Sequence, residues 1–189
     1  QEARGRKQEA RGKMQEARDK RREARSQGQI ALAVALICLL AFGLRVYRLG
    51  QQSLWYDEAL SVFLASLPPA ETIAQSAVTD HPPLHALLLG LWMQWAGRTE
   101  FAVRFVSTWF GVLAVALTYR LGGRLLGSAA GTVGALLLAL SSFAVWYSQE
   151  ARGYSLLLAL TLLISDFEVR GMRLWAVLTV AGIAALYTH

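Results

Sequence analysis

The stretch IALAVALICLLAFGLRVY (residues 30–47) carries no charge from Ile30 to Leu44. With its flanks it reaches the length a bilayer core demands, about 20 mostly apolar residues. Reading outward, four more uncharged runs follow: Phe105 to Tyr119, Leu125 to Gln149, Gly153 to Ser165 and Leu174 to Thr188. Of the 189 residues 54% are hydrophobic, and the mean hydropathy is +0.35. So high a mean with so few charges excludes an ordinary soluble domain. The pattern predicts an all-α polytopic membrane helix bundle.

The net charge of +6 is local. Residues 1–28 hold ten Lys/Arg and five Asp/Glu, while the rest of the chain holds nine and eight. A basic tail before a span sets orientation and touches anionic lipid, so nucleic-acid binding is a poor reading of the high pI. The tail (residues 1–29) repeats every seven residues: QEARGRK, QEARGKM, QEARDKR, REARSQG. Alanine is its only recurring apolar residue, so no coiled-coil seam exists. We expect a solvated, partly helical, low-complexity segment. Cys38 is the only cysteine and lies in the first span, where a small apolar filler is the plain reading. The chain begins at Gln1 and ends at His189, close to a span boundary, which suggests a fragment.

Residues 49–102 are rich in polar residues, prolines and acids and cannot span as a unit. Leu60, Phe63, Leu64 and Leu67 form one apolar stripe, on a helix that Pro68-Pro69 should end. Leu84, Leu87, Leu88, Leu91, Trp92 and Trp95 form another, on a helix of about 20 Å, short of a core of about 30 Å. Both read as amphipathic juxtamembrane helices in the first extracytoplasmic loop. With the second lying flat, spans at 103–119, 128–147, 153–165 and 174–188 alternate so that Arg120, Arg124, Arg170 and Arg173 lie in the cytoplasm with the N-terminus. Asp57, Asp80, His81, Arg104, Arg152 and His189 then share the other face.

Four motifs carry candidate chemistry: WYDEA (55–59), DHPPLH (80–85), the arginine of FAVRF (101–105) and QEARGY (149–154). Asp57 and Glu58 open a helix, where Asp suits the N-cap and Glu the first turn. Side chains of adjacent helical residues diverge by about 100°, so the two carboxylates do not act as one clamp. Asp80 and His81 precede a proline-initiated helix, whose N-terminus favours an anion such as a lipid phosphate. His85 reads as a satisfied interfacial histidine. Arg104 and Arg152 begin spans; snorkelling to headgroups is the plain reading, and phosphate binding by the guanidinium fork is the functional one.

This ordered set resembles the GT-C membrane glycosyltransferases. More narrowly it resembles bacterial protein mannosyltransferases and the lipid A aminoarabinose or galacturonic acid transferases. The resemblance covers Ile30 to His189, and YTH (187–189) also fits it. Members are longer, with more spans, so the acceptor-selecting parts are missing and a fragment alone should be inactive. The resemblance implies a multi-pass protein of the cell (inner) membrane, with its active site extracytoplasmic. It implies transfer of a sugar from a polyprenyl-phosphate donor to a lipid, glycan or protein hydroxyl, with inversion. Asp57 would be the base, with Glu58 and Asp80 beside it in the catalytic set. His81, Arg104 and Arg152 would hold the donor phosphate, and Glu150, Tyr154 and His189 would support the site. No cofactor is required; a divalent cation (Mg or Mn) would sit on Asp57 and Asp80. The rival readings are a polytopic transporter and a non-catalytic scaffold. Charges inside spans would favour the transporter, but here they gather at one surface.

Overall fold

The computed structural model describes residues 2–79 and 81–169. Among them lie eight helices: α1 (Glu2–Val46), α2 (Tyr56–Ala65), α3 (Pro69–Thr79), α4 (Pro83–Ala96), α5 (Glu100–Leu126), α6 (Ser128–Leu140), α7 (Ser142–Ser148) and α8 (Tyr154–Val169). The protein is an all-α membrane bundle. Two helices, α1 and α5, are long and apolar enough to cross a bilayer. The pair α6 and α7 makes a third only if counted as one span, bent by 62°. The span expected at 128–147 is thus a broken one. The span expected at 153–165 is α8, whose 16 residues rise about 24 Å. The one expected at 174–188 lies outside the described residues.

The tail, expected to be partly helical, is helical from Glu2 and runs without a break into the first span. Its Ala, Glu, Arg and Gln residues are good helix formers. Glu and Lys four apart also pair on its surface, as Glu16 and Lys20 do at 2.6 Å.

The two expected loop helices are α2 and α4, but a third, α3, stands between them. Pro69 does not merely stop α2; it starts α3, because proline fits a helix's first turn. Thr72 of α3 is buried and donates its hydroxyl to Leu64 O (3.0 Å), covering the end of α2.

The apolar stripes lie elsewhere than an aqueous helix would put them. The buried face of α2 is Glu58, Ser61, Leu64 and Ala65, while Phe63 is exposed. The buried face of α4 is His85, Ala86, Leu89 and Met93, while Leu91 and Trp95 point outward. Against lipid, bulky apolar side chains lose nothing by facing out, and small residues let helices approach.

α5 is the central post. With α1 and α6 it buries Ala41, Val115, Ala135 and Ala139, and with α8 it buries Ala114 and Ala159. Cys38 is half-buried beside the first of these clusters, as a filler would be. With the loop helices, α5 buries Leu89, Met93, Val103 and Val106, and Trp92 donates its indole N–H to Ala102 O at 2.8 Å. At the far end of α5, Arg120 and Arg124 pair with buried Asp166 of α8 at 3.2 and 2.9 Å. The α5–α6 hairpin closes on Gly131, where a Cβ would stand 2.5 Å from both Tyr119 O and Gly123 N. Gly131→Ala should therefore lower stability by about 1–3 kcal/mol, the usual cost of overpacking. The check is the thermal midpoint in detergent, with Gly28→Ala as control, since nothing lies within 4 Å of Gly28. Equal midpoints for the two variants would contradict this packing.

Candidate active site

The site is built where α2, the start of α5 and the α7–α8 turn meet. The N-cap of α2 is Trp55, in extended conformation, so Asp57 and Glu58 sit inside the first turn and Asp57 is not the cap. Trp55 has no acceptor for the helix's first N–H groups. Glu58 returns one half of a capping box by accepting the Trp55 N–H at 3.4 Å.

Glu58 is fully buried and its role is fixed by Arg104 of α5. The guanidinium Nε donates to Glu58 Oε1 (2.8 Å) and Nη2 to Oε2 (2.6 Å). Nη1 donates to Leu49 O and Gln52 O, at 3.0 and 2.8 Å, and Nη2 also donates to Ser53 O at 3.2 Å. A guanidinium has five N–H donors, and the protein takes all five. Arg104, the residue expected to hold phosphate, ties the loop before α2 to the bundle. Glu58 Oε1 also accepts the Ala151 N–H at 2.9 Å, which joins the α7–α8 turn to the same pair. Burial alone would raise the Glu58 carboxyl; the hydrogen bonds and charge of Arg104 and the Ala151 N–H outweigh it and hold the group below its ordinary value.

Asp57, on the next face of α2, is different. Its Oδ2 accepts from Arg152 Nη1 at 2.8 Å, and the pair is only partly covered, at 29% and 24% exposure. Asp57 Oδ1 has no hydrogen bond among the described residues, and Arg152 spends only one of its donors. The Arg152 guanidinium lies 4.8 Å from the Tyr154 ring centre and 5.8 Å from that of Trp55, sandwiched by cation–π contacts.

A cavity of about 800 Å³ lies against Arg152. Its wall includes the apolar Leu44, Val145 and Trp146 and the charged Arg48, Glu150, Glu58 and Arg104. Glu150 accepts the Trp146 indole N–H at 2.8 Å. Burial, followed by the charges of Glu58 and Asp57, raises its carboxyl above the ordinary value, against the pull of Trp146 and Arg152. Arg48 is exposed, with a left-handed backbone (φ 59°), and donates to Gln51 Oε1. Arginine rarely accepts that backbone, and such strain gathers at functional loops.

The structure thus brings together Asp57, Glu58, Arg104, Glu150, Arg152 and Tyr154. It does not bring His81 into that contact network: His81 is half-buried, with Nδ1 2.6 Å from Thr79 O and its N–H donating to Ser76 O. His85, expected to be satisfied at the interface, is buried with Nε2 unpartnered among the described residues. Burial and, secondarily, the charge of Arg152 lower its pKa to about 4, so it is neutral near pH 7. Asp80 and His189 lie outside the described residues. No three His, Cys, Asp or Glu side chains gather as metal ligands among the described residues.

Sequence reading missed Arg48, Trp146, Gln149 and Arg45. Gln149 donates to three carbonyls at the end of α1, those of Leu44, Arg45 and Tyr47, at 3.3, 3.1 and 2.9 Å. Only its place in QEARGY pointed to it. Arg45 and Arg48 looked like ordinary interfacial arginines.

Breaking a buried pair strands a charge, at about 3–5 kcal/mol. Glu58→Gln and Arg104→Met should each cost that much in chemical denaturation, and the double variant clearly less than their sum. Additive losses would show the pair is not coupled. The pH dependence follows the depressed carboxyl. The pair's contribution is present above the ordinary value of 4.5 and is lost as pH falls through the lower folded value. Glu58→Gln should remove that acid-side loss.

The sequence model of one family, the dolichyl-phosphate-mannose-protein mannosyltransferases, matches residues 80–188. No curated protein and no solved structure matches the chain. The family match covers more than half of the sequence, including α4, α5 and the turn that carries Glu150 and Arg152. The chain belongs to the dolichyl-phosphate-mannose-protein mannosyltransferase family, a family of membrane glycosyltransferases.

Proposed function

We propose that this chain carries active-site residues of an enzyme that moves a mannose-type sugar from a polyprenyl-phosphate donor to a hydroxyl at the extracytoplasmic face of the cell membrane. The observation that carries the reading is Arg152, which pairs with Asp57 and lines a cavity walled by both apolar and arginine side chains. A lipid phosphate needs both: apolar wall for a prenyl chain and arginine for a sugar-phosphate. The volume also suits a sugar-phosphate head, since ligand sites run to about 300–1,000 Å³.

In the proposed reaction the acceptor hydroxyl gives its proton to Asp57 Oδ1, and its oxygen bonds to the anomeric carbon. The bond from that carbon to the phosphate oxygen breaks, and the electron pair leaves with the phosphate. Attack opposite the phosphate inverts the anomeric centre. Phosphate needs no general acid but does need its charge met. Arg152 has donors left for this, and Arg48 faces the same cavity. Arg104 acts one step back, by fixing the loop, and Glu58 by holding Arg104. Asp80, His81 and His189 stay within the proposal as residues on the same face. A divalent cation on Asp57 and Asp80 is not required when arginines meet the phosphate charge. The transferred sugar and the acceptor are the properties on which mannosyltransferases and lipid A sugar transferases would part.

Three outcomes test this in the full-length protein. Asp57→Asn should abolish sugar transfer from a polyprenyl-phosphate sugar, at least 100-fold, while the variant still inserts and melts like wild type. Undiminished transfer would remove Asp57 as base. Arg48→Gln should raise the donor KM about tenfold with little change in kcat; an unchanged KM would take Arg48 out of the donor site. For sidedness, Tyr56→Cys and Leu126→Cys, both in a Cys38→Ala background, place thiols at exposed positions near opposite ends of the bundle. An impermeant maleimide should label position 56 from outside and position 126 only from the cytoplasm. The reverse pattern would invert the proposed topology.

A further inference from the structure

Among the described residues Arg45 is the largest fully buried side chain, and it has no carboxylate partner there. It lies in the last turn of α1. A cation at that depth needs hydrogen-bond partners. Two of its four come from one place, the break between α6 and α7. Nη1 donates to Ala139 O (3.3 Å) and Nη2 to Leu138 O (3.3 Å). Nε donates to Ser148 Oγ (3.1 Å), and Nη1 also returns to Ala41 O of its own helix (3.2 Å).

The break falls at the serine pair Ser141-Ser142. Sharp kinks sit at proline, at Gly/Ser pairs, or where a side chain inserts into the hydrogen-bond ladder. Residues 136–147 contain neither proline nor glycine. In an unbroken helix, Leu138 O and Ala139 O would accept from the N–H groups of Ser142 and Phe143. Here Ser141 is extended (ψ 115°) and its hydroxyl takes the Ala144 N–H at 3.3 Å, which starts a new helix. One side of the break is thus capped by Ser141, and the other by Arg45 from a different span. Gly111 of α5 makes the room: a Cβ there would meet Ser148 Cβ at 2.8 Å and Arg45 Nε at 3.0 Å.

We infer that Arg45 holds the 62° bend in the third span, as a positioning residue that caps the two carbonyls the bend releases at the serine pair. The bend aims α7 and the turn after it at the site. That turn delivers the Ala151 N–H to Glu58, Arg152 to Asp57, and Gln149 back to the end of α1. Thr108 Oγ1 to Ser148 O and Ser107 Oγ to Arg152 O, both at 3.0 Å, fasten the same turn to α5. Without the guanidinium, Leu138 O and Ala139 O lose their partner; recovering their helical bonds straightens the span, and α7 swings away.

The test is a distance. α7 has seven residues, about 10 Å of helix, so straightening a 62° bend moves its far end by on the order of 10 Å. Spin labels at Phe63 and Trp146, both exposed, in a Cys38→Ala background of the full-length protein in lipid should report it. Arg45→Met should shift the mean distance by several ångströms. Arg45→Lys keeps the charge but cannot hold both carbonyls in a fork, and should give a broadened, shifted distribution. It carries the test if Arg45→Met fails to insert. A wild-type distribution in Arg45→Lys, or in both variants, would overturn the inference. A second readout rests on the proposed donor site: in unlabelled Arg45→Lys the donor KM should rise about tenfold, with kcat within about twofold. The distance needs no substrate, so it stands or falls apart from the proposed reaction. A moved distance with an unmoved KM would keep the bend and sever its link to the donor site.

Discussion

The buried pair of Glu58 and Arg104 is the contact on which the rest of the site depends. It joins α2 to α5, gathers the carbonyls of Leu49, Gln52 and Ser53, and receives the Ala151 N–H from the α7–α8 turn. Three segments far apart in sequence therefore meet at one carboxylate. Such a pair gives little net stability against an apolar alternative, because taking two charges out of water costs about what their attraction returns. Its worth is geometric. A guanidinium with all five donors taken cannot rotate without breaking several bonds at once.

That constraint separates two neighbouring carboxylates into different roles. Glu58 points inward and is spent on structure. Asp57, one residue earlier and about 100° around the helix, pairs with Arg152 of the cavity wall, with one oxygen on Arg152 and one open. The arginines divide in the same way: Arg104 is saturated by protein, Arg152 is held by one bond and two aromatic rings, and Arg48 faces the cavity on a strained loop. Glu150, raised by burial and by its acidic neighbours, adds a carboxyl that gives up its proton less readily than an exposed one. The inner residues fix geometry and the outer ones keep donors and acceptors free.

Much of this was legible in the sequence, because its signals were local. Uncharged runs gave the helices, and WYDEA and QEARGY gave Asp57, Glu58, Glu150, Arg152 and Tyr154. The parts not legible rest on contacts between distant segments. Nothing near Arg104 shows that Glu58 and three loop carbonyls will consume its donors, so it reads as a free phosphate ligand. The serine pair at 141–142 marks a place where a helix can break, but the arginine that caps the released carbonyls is almost a hundred residues away. The apolar stripes of α2 and α4 gave the helices, while their buried faces, with Glu58, Ser61, His85 and Ala86, rest on contacts to other elements that no stripe reveals. Pro68-Pro69 read as a stop signal and hid α3, because proline both ends one helix and begins the next.

The central claim is that Asp57 and Arg152 face the reacting sugar-phosphate while Glu58 and Arg104 hold the frame behind them. A structure of the full-length protein in lipid with a polyprenyl-phosphate bound tests it most directly. The account predicts the phosphate within hydrogen-bond distance of Arg152, with the Glu58–Arg104 fork unchanged. A phosphate seated on Arg104, with Glu58 released from it, would contradict the account.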